Sequence, residues 1–132
     1  MAQNSGGTYD TALHELRAGT KRSHWMWFVF PQVAGLGMSP MAQRYAVSGL
    51  DEAWSYLAHP LLGPRLHACC EAMLGQTDRS AQDILGGIDA VKLRSSMTLF
   101  LRADPSEPIF EQLLNRYFDR APDSRTDELL TR

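Results

Sequence analysis

Glycine and proline interrupt this chain before any apolar periodicity has run for long. Gly19, Pro31, Gly35, Gly37, Pro40, Pro60, Gly75, Gly86 and Gly87 separate segments whose apolar residues recur every three or four positions. Glycine ends helices by taking up left-handed backbone, and proline cannot continue them. The chain can therefore build only short helices, and no two of its runs alternate polar and apolar residues as a hairpin requires. The expected fold is all-α: a compact single-domain bundle of about six or seven short helices, with one aromatic extended segment. A length of 132 residues suits one hydrophobic core. The expected division is a flexible N-terminal segment, residues 1–8, and a single helical domain, residues 9–131. The first segment is small, polar and rich in Gly and Ser, with too little apolar area to offset its ordering entropy.

Local signals place the elements. Leu13 and Leu16 define a first helix closed by Gly19, and Ser23 to Gln32 follows as an aromatic run that Pro31 stops. Ser39-Pro40 reads as a cap followed by proline in the first helical turn, opening a short helix through Tyr45. Ser48 reads as the next cap, before a helix presenting Leu50, Ala53, Trp54 and Leu57. Leu62, Leu66, Cys69, Cys70 and Met73 mark a core helix closed by Gly75. Ser80 caps a short element, Asp89 caps a central helix from Ala90 to Leu101, Ser106 caps Ile109 to Phe118, and Asp123 caps a last turn or two.

Charge and motif content exclude several functions. Thirteen Lys and Arg against 15 Asp and Glu give a net charge of −2, which disfavours nucleic acid as a partner. The longest apolar run, Trp25 to Pro31, is far below the roughly 18 residues that cross a bilayer, so no membrane span is expected. The N-terminus lacks a secretory signal and the adjacent Cys69 and Cys70 suit reduced thiols, so the expected location is the cytoplasm. No phosphate-loop, dinucleotide, zinc-protease or hydrolase signature occurs, and the four histidines have no ligand spacing, so no metal and no cofactor is expected.

Two segments mix polar chemistry into otherwise buried sequence. Lys21 to Phe28 joins two cations, His24 and the rings of Trp25 and Trp27, and Gln32 lies beside it. The rings serve either as core filling or as a pocket wall that stacks a planar ligand, with His24 exchanging a proton or binding an anion. Lys92, Ser95, Ser96 and Thr98 carry a cation and hydroxyls through a helix interior. The hydroxyls serve either close packing and bonds to carbonyls four residues earlier, or an anion.

The segments HWMWFVFPQ (His24 to Gln32), GLGMS (Gly35 to Ser39), RYAV (Arg44 to Val47), EAWSYLAHPLLGPRL (Glu52 to Leu66) and KLRSSMTLF (Lys92 to Phe100), with the closing Asp123-x-x-Thr126, resemble the domain-of-unknown-function family 1810 from about Tyr9 to Leu130. The resemblance implies a small, mainly helical fold and no defined activity. Against the family pattern, most of the helix that precedes the Tyr9 segment is lacking, and Leu85-Gly-Gly-Ile88 stands where a Phe and a Pro are typical.

The function expected from these residues is binding of, or action on, a small polar or nucleotide-like ligand in a pocket between His24 to Gln32 and Lys92 to Thr98. Its candidate residues are His24, Trp25, Trp27, Gln32, Tyr45, Lys92, Ser95, Ser96 and Thr98, with no catalytic residue nominated. A likeness to NAD-linked helical N-glycosidases suggests one chemistry for such a pocket, glycosidic cleavage of a nucleotide or ADP-ribose-like compound, with Trp stacking the base. The alternative is a protein-interaction or homodimerisation module using Trp54 and Tyr56 as exposed aromatics.

Overall fold

Residues 6–23, 25–36, 40, 43, 46–76 and 78–131 are described by the computed structural model, with the backbone alone described at 6–8 and 27. Within them eight helices follow one another: α1 (Gly6–Ala18), α2 (Met26–Val29), α3 (Leu50–Ala58), α4 (Leu62–Leu74), α5 (Ala81–Leu85), α6 (Gly87–Ala103), α7 (Pro108–Tyr117) and α8 (Ser124–Leu130). The one strand-like pairing among the described residues is a parallel bridge between Val33 and Val47. The short helix expected to begin at Ser39-Pro40 lies largely outside the described residues.

The apolar spacing dictates α6 as the centre. Leu93, Met97, Leu99 and Phe100 are fully buried, each contributing about 1.5–3 kcal/mol by leaving water. Around α6 pack α3, α5, α7 and α8, while α4 joins α1, α2, α3 and α7. The Phe100 ring lies 5.5 Å from Tyr56 of α3 and 5.7 Å from Phe110 of α7, both tilted, so one aromatic file links three helices.

Several caps differ from the sequence reading. Ser80 caps α5 as expected, with Asp83 completing a reciprocal box, and Asp123 caps α8 by accepting from the Thr126 amide at 2.9 Å. Ser48 does not cap α3; Gly49 holds that position, and the Ser48 amide donates to Glu52 at 3.0 Å. Ser106 does not cap α7; its hydroxyl is spent on Asp104, and Pro108 in the first turn needs no partner for the amide it lacks. The central helix starts at Gly87, which places Asp89 in its first turn rather than at its cap. At the other end of the chain, α1 begins at Gly6, three residues before Tyr9.

Tertiary bonds add to the local signals at two helix ends. Gly19 follows α1 at φ +82, and the Gln76 side-chain amide, just beyond the end of α4, donates to the Leu16 and Arg17 carbonyls at 2.9 and 3.0 Å. The segment before α8 is fastened to one ridge of α6. Arg94 donates to the carbonyls of Ala121 and Pro122 at 2.8 and 3.2 Å, Thr98 Oγ1 accepts from the Asp123 amide at 2.8 Å, and Arg102 holds Asp127 with two bonds at 2.8 and 3.0 Å.

Candidate functional site

The aromatic segment is organised by a carboxylate. Glu15 lies on the buried stripe of α1, three residues after Ala12, and is 8% exposed. It accepts from the Arg22 amide (2.7 Å), the Ser23 amide (3.0 Å), the Ser23 hydroxyl (2.6 Å) and the Trp25 indole Nε1–H (2.9 Å). Burial opposes its ionisation, but these bonds win and hold its carboxyl down at about 2. The four donors fix Arg22, Ser23 and Trp25 on one path around the carboxylate.

That path delivers Lys21 to the first turn of α6. The Lys21 amide donates to the Ile84 carbonyl at 2.7 Å, and its ammonium meets Asp89 at 3.0 Å while lying 5.3 Å from the centre of the Trp25 ring. Lys92 reaches the other Asp89 oxygen at 3.3 Å. The side chains of Lys21, Asp89 and Lys92 are 10–22% exposed, so two ammonium groups share one carboxylate away from most solvent. Ser96 follows Lys92 by one turn on the same face, fully buried, and its hydroxyl has no partner among the described residues. The Gln32 Nε2 group is buried and unpartnered in the same sense. Buried polar groups are nearly always bonded, to water or a ligand where protein does not serve.

The nine residues singled out by sequence therefore divide. Lys92 and Ser96 lie together, and Gln32 offers a buried donor. Trp25 is 2% exposed, with its indole N–H on Glu15 and Lys21 over its ring, which leaves it no face for stacking a base. Ser95 donates to the Val91 carbonyl at 3.2 Å and Thr98 to the Arg94 carbonyl at 2.8 Å, the back-bonding that sequence offered as the alternative. His24, Tyr45 and the Trp27 side chain lie outside the described residues. Sequence reasoning passed over Glu15, although a charged residue on an apolar stripe was its signal, and saw Asp89 as a cap rather than an ion partner.

Other groups have settled partners. Burial pushes the Cys69 thiol up to about 12 and the Cys70 thiol well above its ordinary value, so neither is an activated nucleophile. His67 bonds Glu71 through Nδ1 at 2.6 Å and Glu107 through Nε2 at 2.9 Å, on opposite ring edges, beside a cleft of about 360 Å³ that also takes in Gly63 and Phe110. Among the described residues no group of three or more His, Cys, Asp or Glu side chains is arranged for a metal ion, and no helix is long and apolar enough to cross a membrane.

These features define an all-helical protein with a partly buried lysine–aspartate site. The chain belongs to the family described as protein of unknown function DUF1810, whose model matches residues 1–130. It is similar to the conserved hypothetical protein Rv1873 from Mycobacterium tuberculosis, whose crystal structure it matches at 50% identity and a TM-score of 0.94, over 96% of this chain and 91% of that one. No curated protein matches the chain.

Proposed function

We propose that this protein binds a small polar ligand carrying an oxyanion at the site formed by Lys21, Asp89, Lys92 and Ser96. The observation that carries this reading is the buried, unpartnered Ser96 hydroxyl one turn beyond Lys92, which shares the Asp89 carboxylate with Lys21. The acidic groups nearby are committed: Glu15 to four donors and Asp89 to both ammoniums. The Ser96 hydroxyl still offers a donor, and an acceptor-rich group such as a phosphate or carboxylate complements it, directly or through a bridging water. Phosphorylated sugars and nucleotides fall within this class.

A thermal-shift screen of inorganic phosphate, sugar phosphates, nucleotides, dinucleotides and carboxylic acids tests the reading, because a ligand at 100 times its dissociation constant stabilises by about 2.7 kcal/mol. Ser96→Ala is the discriminating variant. It removes a hydroxyl without a described partner, so its stability should match the parent's within about 0.5 kcal/mol, while the ligand-induced shift falls. A shift retained in full by Ser96→Ala would refute the proposed site.

A second reading has its own observation. Trp54 is 53% exposed and shares the outer face of α3 with Leu50, 40% exposed, beside Leu61, 39% exposed. Tyr56, which sequence placed with Trp54, is instead packed on Phe100 and is not part of this face. If this face mediates self-association, sedimentation velocity should show a dimer in the parent and a monomer in Trp54→Ala; a monomeric parent at high concentration rejects it.

A further inference from the structure

The turn between α7 and α8 carries two successive non-glycine residues in left-handed backbone, Asp119 at φ +52 and Arg120 at φ +67. Asp tolerates this region through its short polar side chain, but Arg gains nothing locally from it. The conformation is enforced from several directions. The Arg120 amide donates to the Leu114 carbonyl at 3.1 Å, the Ala121 amide to Phe118 at 2.9 Å, and Arg94 grips the next two carbonyls from α6. Every one of these bonds uses backbone atoms of the turn, so glycine at position 120 would make them all without strain. The arginine side chain is what the strained position adds, and strain of this kind gathers at functional sites.

That side chain lines an open cavity of about 440 Å³ between α6 and α7. Leu101, Leu114 and Pro122 supply apolar wall, and Asn115 supplies an amide. Arg102 lines the same cavity with its guanidinium plane fixed, since Asp127 takes Nε and Nη2 and leaves the Nη1 edge. Glu111 is the acidic lining residue. With Asp127 offsetting Arg102 and Glu111 offsetting Arg120, the cavity has forked donors but no large surplus of positive charge, which suits a singly charged carboxylate better than a phosphate dianion.

We propose that this cavity is a second binding site, for a small carboxylate whose charged end meets Arg120 and Arg102 and whose apolar body lies on Leu101, Leu114 and Pro122. The site is independent of the one around Lys92. Titration of the full chain with benzoate, followed by backbone NMR, should shift the resonances of Asn115 and Arg120, with inorganic phosphate at equal concentration shifting them less. Arg120→Gly should melt at a higher temperature than the parent and bind benzoate at least tenfold more weakly, and Arg120→Gln should lose the same affinity without the gain in melting temperature. Ser96→Ala should bind benzoate as the parent does. Undiminished benzoate binding by Arg120→Gly, benzoate shifts confined to residues away from the cavity, or a lower melting temperature for Arg120→Gly would each overturn the proposal.

Discussion

Replacing Glu15 by Gln is expected to lower the melting temperature at neutral pH by roughly 10 °C, and by progressively less as the pH falls toward 2. Two lines of reasoning meet on this size. An amide oxygen at that place can serve only some of the four donors and carries no charge, and each hydrogen bond to a buried charged group contributes about 1.5–3 kcal/mol. Separately, moving an ionisation from its ordinary 4.5 down to about 2 corresponds to about 3 kcal/mol of stability. The sign follows from the direction: the folded protein holds the carboxylate form, so this stabilisation is complete above pH 4.5 and is lost as the pH falls from there to about 2. At this chain length, about 3 kcal/mol translates into roughly 10 °C. Parallel melts of parent and variant between pH 2 and 7 check it, and a gap that stays constant with pH would show that the charge is not its source.

Gly63→Ala should be more damaging still. A methyl group at Gly63 would come within 2.2 Å of the Leu57 carbonyl oxygen and 3.0 Å of its carbon. The obstacle is backbone of the preceding helix, so a side-chain adjustment cannot relieve it; the turn joining α3 and α4 must open. Leu62 and Leu66 beside it are buried and would lose packing. A cost of about 3 kcal/mol or more is expected, seen as loss of soluble protein or a melting temperature at least 10 °C lower. Gly87→Ala is the control. Nothing lies within 4 Å of its added carbon, and alanine in a first helical turn should be neutral or stabilising by about 0.5–1 kcal/mol.

The helical architecture was legible because its determinants are local. Apolar spacing marks α4, α6 and α7, and Gly75 marks where α4 stops. The caps at Ser48 and Ser106 misled because a serine next to a helix is capable of capping, and whether it does so depends on which other group claims its hydroxyl; at Ser106 that group is Asp104. Among the candidate residues, Lys92 and Ser96 were recognisable as neighbours on one face of a helix. Thr98 read as one of their group because all three lie in one polar run of sequence, yet it turns toward the Asp123 amide on another ridge of α6. The pairing of Lys21 with Asp89 joins distant parts of the chain, and no periodicity in either segment encodes it. Glu15 is the instructive omission, since it directly precedes Leu16, which the sequence reading used to define the helix, and it shares the buried face with Ala12 and Leu16.

The bonds that close α1 have a kinetic consequence. Its last carbonyls receive their donors from Gln76, 60 residues further along, and isolated helices as short as this are marginal in water. As the chain is synthesised, the local Gly19 and Thr20 amides can bond the end of α1 at once, but the Gln76 donors arrive only after α4 has been made. The helix α1 is therefore made well before the last of the bonds that close it.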